Sequence, residues 1–449
     1  MNRRQLLAKP TSMDPTARTD WRIERLVVAC ALVTTGISQS IIFVVLPSLG
    51  RSMGYSDLEI SSVVSTSSLA FVVCAPWLGG LSERIGRVLF MRIGLMAAVL
   101  ANFAFGATVS AELGGYISSG MSLGLLVTSR VMLSVCWGGL FPAAQAYIAD
   151  TTAPQQRTAG IALISSAFGL GHMLGPVIGA GFGVFSPIAP FYGTAALTAA
   201  TLAALWILVG EPAHDCSRRE HKSVEIEPNR PTAWKLWPYV LMGFLIVLCS
   251  TLLQQLTGFR FQDEFVLSGE EATQRAGLGL FVLMAAYLIA QLGVLRWGAR
   301  QPPLQLVRVG SVLACLGMAG FGFAGAVDPN FSFEMHVLSL GLFGLGLGLL
   351  LPGNATAITF KAHHLGQGRA AGLLSASQGI GVVTGPVVGT SIYYWNHTLP
   401  FLVASCLLMA VCFITVIANR VEGFQSTEGV ESNLSAQENG ESPAPEQIP

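Results

Sequence analysis

Charged side chains are scarce in this chain. Only 11% of its 449 residues are Asp, Glu, Lys or Arg, where a soluble domain carries about a quarter. With 52% hydrophobic residues and a mean hydropathy of +0.59, the chain cannot cover itself with solvated groups, so lipid must face most of its side chains. The few charges also balance, 25 basic against 25 acidic, leaving no basic field that could hold nucleic acid. Paired cysteines are missing as well. Of eight, Cys30, Cys74, Cys136, Cys249, Cys315, Cys406 and Cys412 lie in apolar runs and Cys216 in a polar stretch. Their spacing fits no disulfide framework and no metal site, and buried free Cys usually serves as a small packing residue. No metal and no cofactor are expected. A cleavable signal peptide is also absent from the expectation. Arg3-Arg4 precedes about twenty polar residues rather than a short apolar core, so the first apolar run should stay as a helix.

What is present is apolar sequence in lengths that cross a bilayer, roughly 20 residues each. Twelve such runs are read: about 26–47, 60–80, 88–108, 122–148, 158–182, 189–210, 236–257, 276–296, 304–326, 336–360, 370–394 and 399–419. The fold class expected is all-α integral membrane, with twelve transmembrane helices in two pseudo-symmetric six-helix bundles. The organisation is an N-terminal segment 1–25, a first bundle 26–210, a polar linker 211–235, a second bundle 236–420 and a tail 421–449. The tail holds Glu, Ser, Gln, Pro and Gly with no Lys or Arg, and should be disordered. Of the 25 basic residues, 21 fall on the side of the termini. Arg51, Arg260 and Arg275 fall on the other side, and Arg130 sits inside a span. The positive-inside rule therefore predicts that both termini are cytoplasmic.

The two halves repeat one another. Gly169-Leu-Gly171-His172-Met-Leu-Gly175-Pro176-Val177-Ile-Gly179 recurs 210 positions later as Gly379-Ile-Gly381-Val-Val-Thr-Gly385-Pro386-Val387-Val-Gly389. Parallel repeats with Gly-Pro interruptions inside spans are a transporter signature. Small residues let helices pack backbone to backbone, and Pro176 cannot donate to the helix ladder, so this face is both stripped of bulk and bent. Gly169-x-Gly171 is not a dinucleotide fingerprint. The spacing to Gly175 is one residue too long, and no strand–turn–helix unit surrounds it.

Other motifs sit at defined places between the runs. The loop after span 2 reads Gly79-Gly80-Leu81-Ser82-Glu83-Arg84-Ile85-Gly86-Arg87. Gly79 permits close approach, and Glu83 can pair with an arginine or a helix N-terminus as a charge latch that holds one access state. In span 4, Arg130 is followed by Gly138, Pro142, Asp150, Pro154 and Arg157. An arginine at membrane depth marks a functional site by default, the alternative being a side chain that snorkels to the interface. The span 2–3 loop resembles the G-x-L-A-D-R-x-G-R loop of the major facilitator superfamily, with Ser and Glu at the Ala and Asp positions. The span-4 pattern resembles the same family's R…G…P…D..P..R, with Ser134 replacing a usual Gly. The span-5 residues Gly171, Gly175, Pro176 and Gly179 resemble its antiporter motif. The resemblance covers about residues 20–420 and is most specific in the first half; Arg296-Trp-Gly298-Ala-Arg300 is a faint echo of the loop that lacks the acid.

A cargo path needs polar groups at membrane depth. Candidates are Gln39, Arg130, Gln145, His172, Gln254, Gln255, Gln291, Asn354 and Gln378. Each taken singly also fits a plain helix–helix hydrogen bond. Spans 1, 4, 7 and 10 line the central cavity in the family, which raises Gln39, Arg130, Gln254, Gln255 and Asn354. Many proton-coupled relatives carry an acid in span 1, yet none stands here between Arg25 and Arg51. His172, which can titrate near neutrality, is the possible proton site; Asp57 and Glu59 at the outer mouth of span 2 and Asp150 at the inner end of span 4 are the other titratable candidates. The resemblance implies a monomeric exporter of small organic molecules, a drug-like compound or a secreted metabolite such as a siderophore. It would exchange cargo for protons across a bacterial inner membrane. A proton-coupled importer is the alternative. A transport-inactive sensor and a membrane enzyme are remoter; no metal cluster, nucleophile elbow or phosphate loop supports the enzyme.

Overall fold

A computed structural model describes residues 15–151, 157–210, 236–297, 301–326, 331–361 and 367–438. The segment 1–14, the linker 211–235 and the tail end 439–449 lie outside the described residues, as do the surroundings of Gly79 and the side chains of Glu83, Arg84, Asp150, Arg157 and every residue past Ala418. Thirteen α-helices and no strand are found among the described residues. They are α1 (Pro15–Ser40), α2 (Ile42–Ser52), α3 (Asp57–Ile85), α4 (Arg87–Leu113), α5 (Ser119–Thr151), α6 (Arg157–Gly183), α7 (Ala189–Leu208), α8 (Trp237–Phe265), α9 (Gly269–Trp297), α10 (Pro303–Phe323), α11 (Ser332–Lys361), α12 (Gln367–Trp395) and α13 (Leu399–Glu438).

Helices α1 and α2 form one span, Ile23–Ser52, interrupted at Ile41. The Ile41 carbonyl accepts from both Val44 and Val45 at 3.2 and 3.1 Å, a local tightening of the ladder. Thr34, Thr35, Ser38 and Ser40 all return their hydroxyls to carbonyls three or four residues back, a habit that bends helices. Pro47 then removes one donor from α2. Ten helices among the described residues are long and apolar enough to cross a membrane; α6 and α12, which carry the Gly-Pro repeats, complete the twelve spans in two pseudo-symmetric bundles. An even number of spans returns the chain to its starting side, so α2, α4, α6, α8, α10 and α12 all end at the far end, on the side opposite the start.

Boundaries differ from the expectation where polar residues continue a helix. The first span runs to Ser52 rather than 47, which puts Arg51 in the last turn of α2 instead of a loop. At the other end, α13 continues to Glu438, through sequence expected to be disordered. No proline interrupts the chain between Pro400 and Pro443, so nothing local stops the ladder that the span begins. Cys30 and Cys406 are exposed, against their expected role as buried packing residues. On a spanning helix the outward face meets lipid, where a small apolar thiol is as suitable as inside.

Packing groups the chain into two compact units. The first takes in the described residues of Met1–Ile226, Gln254–Met284 and Val382–Ser391; the second those of Glu227–Leu253, Ala285–Gly381 and Ile392–Pro449. In the first unit the apolar core joins Val28, Leu32, Val88, Met91, Leu95, Ala144, Tyr147 and Ile164 from α1, α4, α5 and α6. The repeats show their purpose at α6. A methyl group on Gly171 would strike the carbonyl of Val33 in α1, and one on Gly175 would strike the hydroxyl of Ser40 and stand 2.9 Å from the Ile37 carbonyl. In the second unit Gly381 stands in the same relation to α8, its Cβ position 2.8 Å from the Phe244 carbonyl and 2.9 Å from the Leu248 nitrogen. Each repeat therefore lays the fifth span of its half on the first at backbone distance. Gly310, Gly317 and Gly346 do the same between α10 and α11.

The close contacts give a graded expectation. Gly171→Ala and Gly381→Ala meet backbone atoms that cannot rotate away, so each should cost more than about 2 kcal/mol, at the upper part of the overpacking range. Gly181→Ala meets open space and should stay within about 0.5 kcal/mol of the parent. Thermal unfolding of the detergent-solubilised proteins measures all three. Equal melting temperatures would show that the α1–α6 and α8–α12 contacts are looser than described.

Candidate functional site

The buried cation is the first feature to place. Arg130, in the middle of α5, is 4% exposed, so it does not reach an interface as a snorkelling side chain would. Its Nη2 donates to the Ser38 carbonyl of α1 at 3.3 Å, and the guanidinium lies 5.5 Å from the Phe105 ring centroid of α4. Asn102 of α4, fully buried, converges on the same residue, its Nδ2 donating to Ser38 Oγ at 3.1 Å. Arg130 Nη1 and Asn102 Oδ1 remain without a partner, and no carboxylate pairs with the arginine among the described residues. A charge taken out of water without a counter-ion costs several kcal/mol, so the fold retains this one against its own stability.

About two helical turns along α5, an aromatic wall begins. The Trp137 ring stacks on Phe71 of α3 at 4.3 Å and on Phe168 of α6 at 5.1 Å, with Phe141 at 6.0 Å. All four rings are half-buried, and Trp137 Nε1 is a buried donor without a partner. A buried indole N–H ordinarily finds an acceptor. The wall ends at His172, whose ring lies 6.0 Å from that of Phe168. His172 hydrogen-bonds through its side chain to Gln254 of α8, leaving Nδ1 unpaired.

The expected polar residues are thus distributed unevenly. Gln39, Gln145 and Gln378 are half-buried; Gln254, Gln255 and Asn354 are buried. Gln255 is 1% exposed with both ends of its amide unpaired among the described residues. In the second unit Asn354 of α11 donates to the Tyr239 carbonyl of α8 at 3.1 Å, and its Oδ1 stays free. Gln291 pairs with Tyr287, 2.6 Å away on the same helix. Of the loop residues proposed as a latch, two are described. Gly86 is the whole turn between α3 and α4, at φ 110° and ψ 139°, a region open only to glycine. Arg87 follows it and is 3% exposed.

The span-5 motif touches α9 as well as the first span. Gly277 of α9 leaves 2.9 Å between its Cβ position and the Pro176 carbonyl, and 2.6 Å to Ala180. Gly258 of α8 meets Pro47 at 2.8 Å, Ser48 and Thr273 share a hydrogen bond of 2.5 Å, and Ser61 and Thr390 one of 2.7 Å. All of these pairs lie in the first unit. Sequence inspection missed Asn102, the aromatic wall and this seam. Asn102 had a signal, a lone amide in the middle of an apolar run, whereas the rings look like any apolar residues until α3, α5 and α6 meet.

Comparison with known proteins places this arrangement. The sequence pattern described as Major Facilitator Superfamily matches residues 28–367. The chain is 28% identical over 409 residues to the class C tetracycline resistance protein of Escherichia coli, covering 86% of this chain and 95% of that protein. It is 24% identical over 395 residues to multidrug resistance protein 2 of Bacillus subtilis, covering 84% and 90%. Among solved structures, a bacterial homolog of the human lysosomal transporter Spinster, inward-facing and unoccupied, aligns with a TM-score of 0.70 at 14% identity, over 89% of this chain and 97% of the other. The nucleoside transporter NupG aligns with a TM-score of 0.70 at 12% identity, over 88% and 98%. Both structures share the fold. The chain is a multi-pass membrane transporter, not an enzyme, and belongs to the major facilitator superfamily.

Proposed function

We propose that the protein is a secondary active exporter that carries small organic molecules by proton antiport and alternating access. Its termini lie on the cytoplasmic face of a bacterial inner membrane, and it works as a monomer. The position of the Gly-Pro motif supports this reading most. Gly171 and Gly175 lay α6 on the first span, while the Pro176 carbonyl meets Gly277 of α9. One bent, side-chain-free face thus touches two helices at once, and it can seal against ion leak while they slide. The two sequence halves, 26–210 and 236–420, are the bodies that rock. Gln39, Arg130, Gln145, Gln254, Gln255, Asn354 and Gln378 serve as cargo contacts, and His172 as the proton site. Glu83, with Arg84, Asp150 and Arg157, forms the cytoplasmic latch, for which the single-residue turn at Gly86 fixes the geometry.

The cargo class follows from the walls. Half-buried rings with one unpaired indole N–H suit a flat, unsaturated molecule bearing an acceptor oxygen, and the unpaired Arg130 suits partial negative charge. A drug-like compound fits both, and relatives named for tetracycline and multidrug resistance agree with it. A carboxylate siderophore fits the arginine better than the rings.

Everted membrane vesicles test direction and coupling together. Tetracycline, as a drug-like probe, or a carboxylate siderophore should accumulate in them when protons are pumped inward, and a protonophore should release it. Accumulation by intact cells instead would replace export by import, and no movement of either probe in any preparation would favour a sensor. Arg130→Met removes a buried charge that has no counter-ion, so the melting temperature should hold or rise while flux falls more than about tenfold, equivalent to ~1.4 kcal/mol in a rate barrier. Arg130→Lys should restore only part, because Lys lacks the planar fork. Normal flux in Arg130→Met removes the arginine from the path. For the latch, Glu83→Gln should slow transport with membrane insertion unchanged; unaltered kinetics would take Glu83 out of the cycle.

A further inference from the structure

The far end of the first unit carries a charge cluster that neither the family patterns nor the cargo path uses. Arg51, in the last turn of α2, makes four hydrogen bonds to two carboxylates. Its Nε and Nη2 donate to Asp57 Oδ1 and Oδ2, both at 2.7 Å, and its Nη1 and Nη2 to Asp263 Oδ1 and Oδ2 at 2.7 and 3.2 Å. Nη1 also reaches Gln262 Oε1 at 3.4 Å, and the guanidinium lies 4.8 Å from the centroid of the Phe259 ring. The three charged side chains are only about a quarter exposed, at 23%, 28% and 25% for Arg51, Asp57 and Asp263. A bidentate fork with shared, partly desolvated acceptors is the strong form of ion pair, unlike a solvated surface contact.

The two carboxylates are not equivalent. Asp57 opens α3, six residues beyond Arg51 in the same hairpin, and the first turn of a helix welcomes an anion. Asp263 stands in the last turn of α8, where the macrodipole disfavours it, beside a second acid at Glu264. Glu264 is offset by Arg260, 3.2 Å away on its own helix. Asp263 is offset from 212 positions away. An acid placed against its helix macrodipole and held by a two-bond contact to an arginine 212 positions away marks a functional contact rather than a folding one. Beneath it Pro47 packs on Gly258, and Ser48 and Thr273 share a hydrogen bond.

We propose that Arg51 and Asp263 are the outer gate latch of the transporter and that Asp57 keeps Arg51 charge-paired when the latch opens. Opening breaks the Arg51–Asp263 pair and parts α2 from α8 and α9. Asp57 travels with Arg51 on the same hairpin and retains its two hydrogen bonds, so the guanidinium is never left without a counter-ion. The pair acts by setting how long the outer side stays closed, and it does not touch cargo. The inference rests on the proposed orientation, with cytoplasmic termini, only for the name of the outer face.

Ser48, 4% exposed beneath the latch, is the reporter. The full-length protein carrying Ser48→Cys is treated in intact cells with a membrane-impermeant maleimide, against the parent protein as blank. Adding Asp263→Asn should speed labelling about fivefold to thirtyfold, the population change that loss of one strong pair allows. Asp57→Asn, which leaves Asp263 in place, should speed it less. The swap Arg51→Asp with Asp263→Arg, which rebuilds the pair with reversed sign, should return labelling to the slow rate. This last variant separates a latch from a merely damaged fold, because it changes two charges and still closes. Labelling in Asp263→Asn no faster than in the Ser48→Cys protein, or a swap as fast as the single variant, overturns the proposal. The readout needs neither cargo nor a gradient, so failure of the export reading in vesicles would leave this result standing, and the reverse.

Discussion

Inside a bilayer nothing squeezes helices together, since lipid tails are as apolar as leucine, and close van der Waals contact has to do that work. The rest of this molecule depends on one such contact made twice. Gly171 sits on the backbone of Val33, and Gly381 on the backbone of Phe244 and Leu248. Where no side chain intervenes, two ladders can lie side by side and slide. That freedom is denied to interdigitated Leu and Phe, whose packing fixes one register. The same glycines that assemble each bundle therefore also leave it able to change, and the duplicated motif is the trace of that requirement.

The spans, their number and the duplicated fifth span could be read in the chain because they depend on runs and periods. The turn after the second span reads too long in sequence, as a loop over 79–87, whereas α3 continues to Ile85 and Gly86 alone makes the turn. Partner choice was much less legible. Arg130 was conspicuous, yet the residues that receive it, Ser38 and Asn102, lie 92 and 28 positions away and look like ordinary small polar substitutions. His172 and Gln254 were each singled out, and only the fold joins them. The length of the last helix was misjudged for a different reason. Val421–Glu438 is rich in polar residues, but continuing a helix needs no nucleation, and composition alone does not register that advantage.

Charge is handled in two ways. At the far end every prominent cation is matched: Arg51 by two aspartates, Arg260 by Glu264, Arg275 by the face of Phe265. Tyr55 shows the same economy, its hydroxyl donating to Glu112, with burial and that carboxylate pushing the phenol up to about 12. In the middle of the membrane the rule is reversed. Arg130, Asn102, Gln255 and Trp137 all keep polar atoms that nothing among the described residues satisfies. Such groups are costly in a finished core and natural in a site whose remaining partner arrives with each cycle.

The one-residue turn at Gly86 has a mechanical consequence. Helix α3 ends at Ile85 and α4 begins at Arg87, so a 29-residue rod and a 27-residue rod meet with no slack between them. Each is about 40 Å long at ~1.5 Å per residue. A rotation of roughly 5° about that joint moves the opposite tip of either rod by about 3.5 Å, the size of a hydrogen bond made or lost. The hairpin is a lever with its fulcrum at one face of the membrane and its working end at the other. Any change of angle at the joint is thereby magnified at the opposite face.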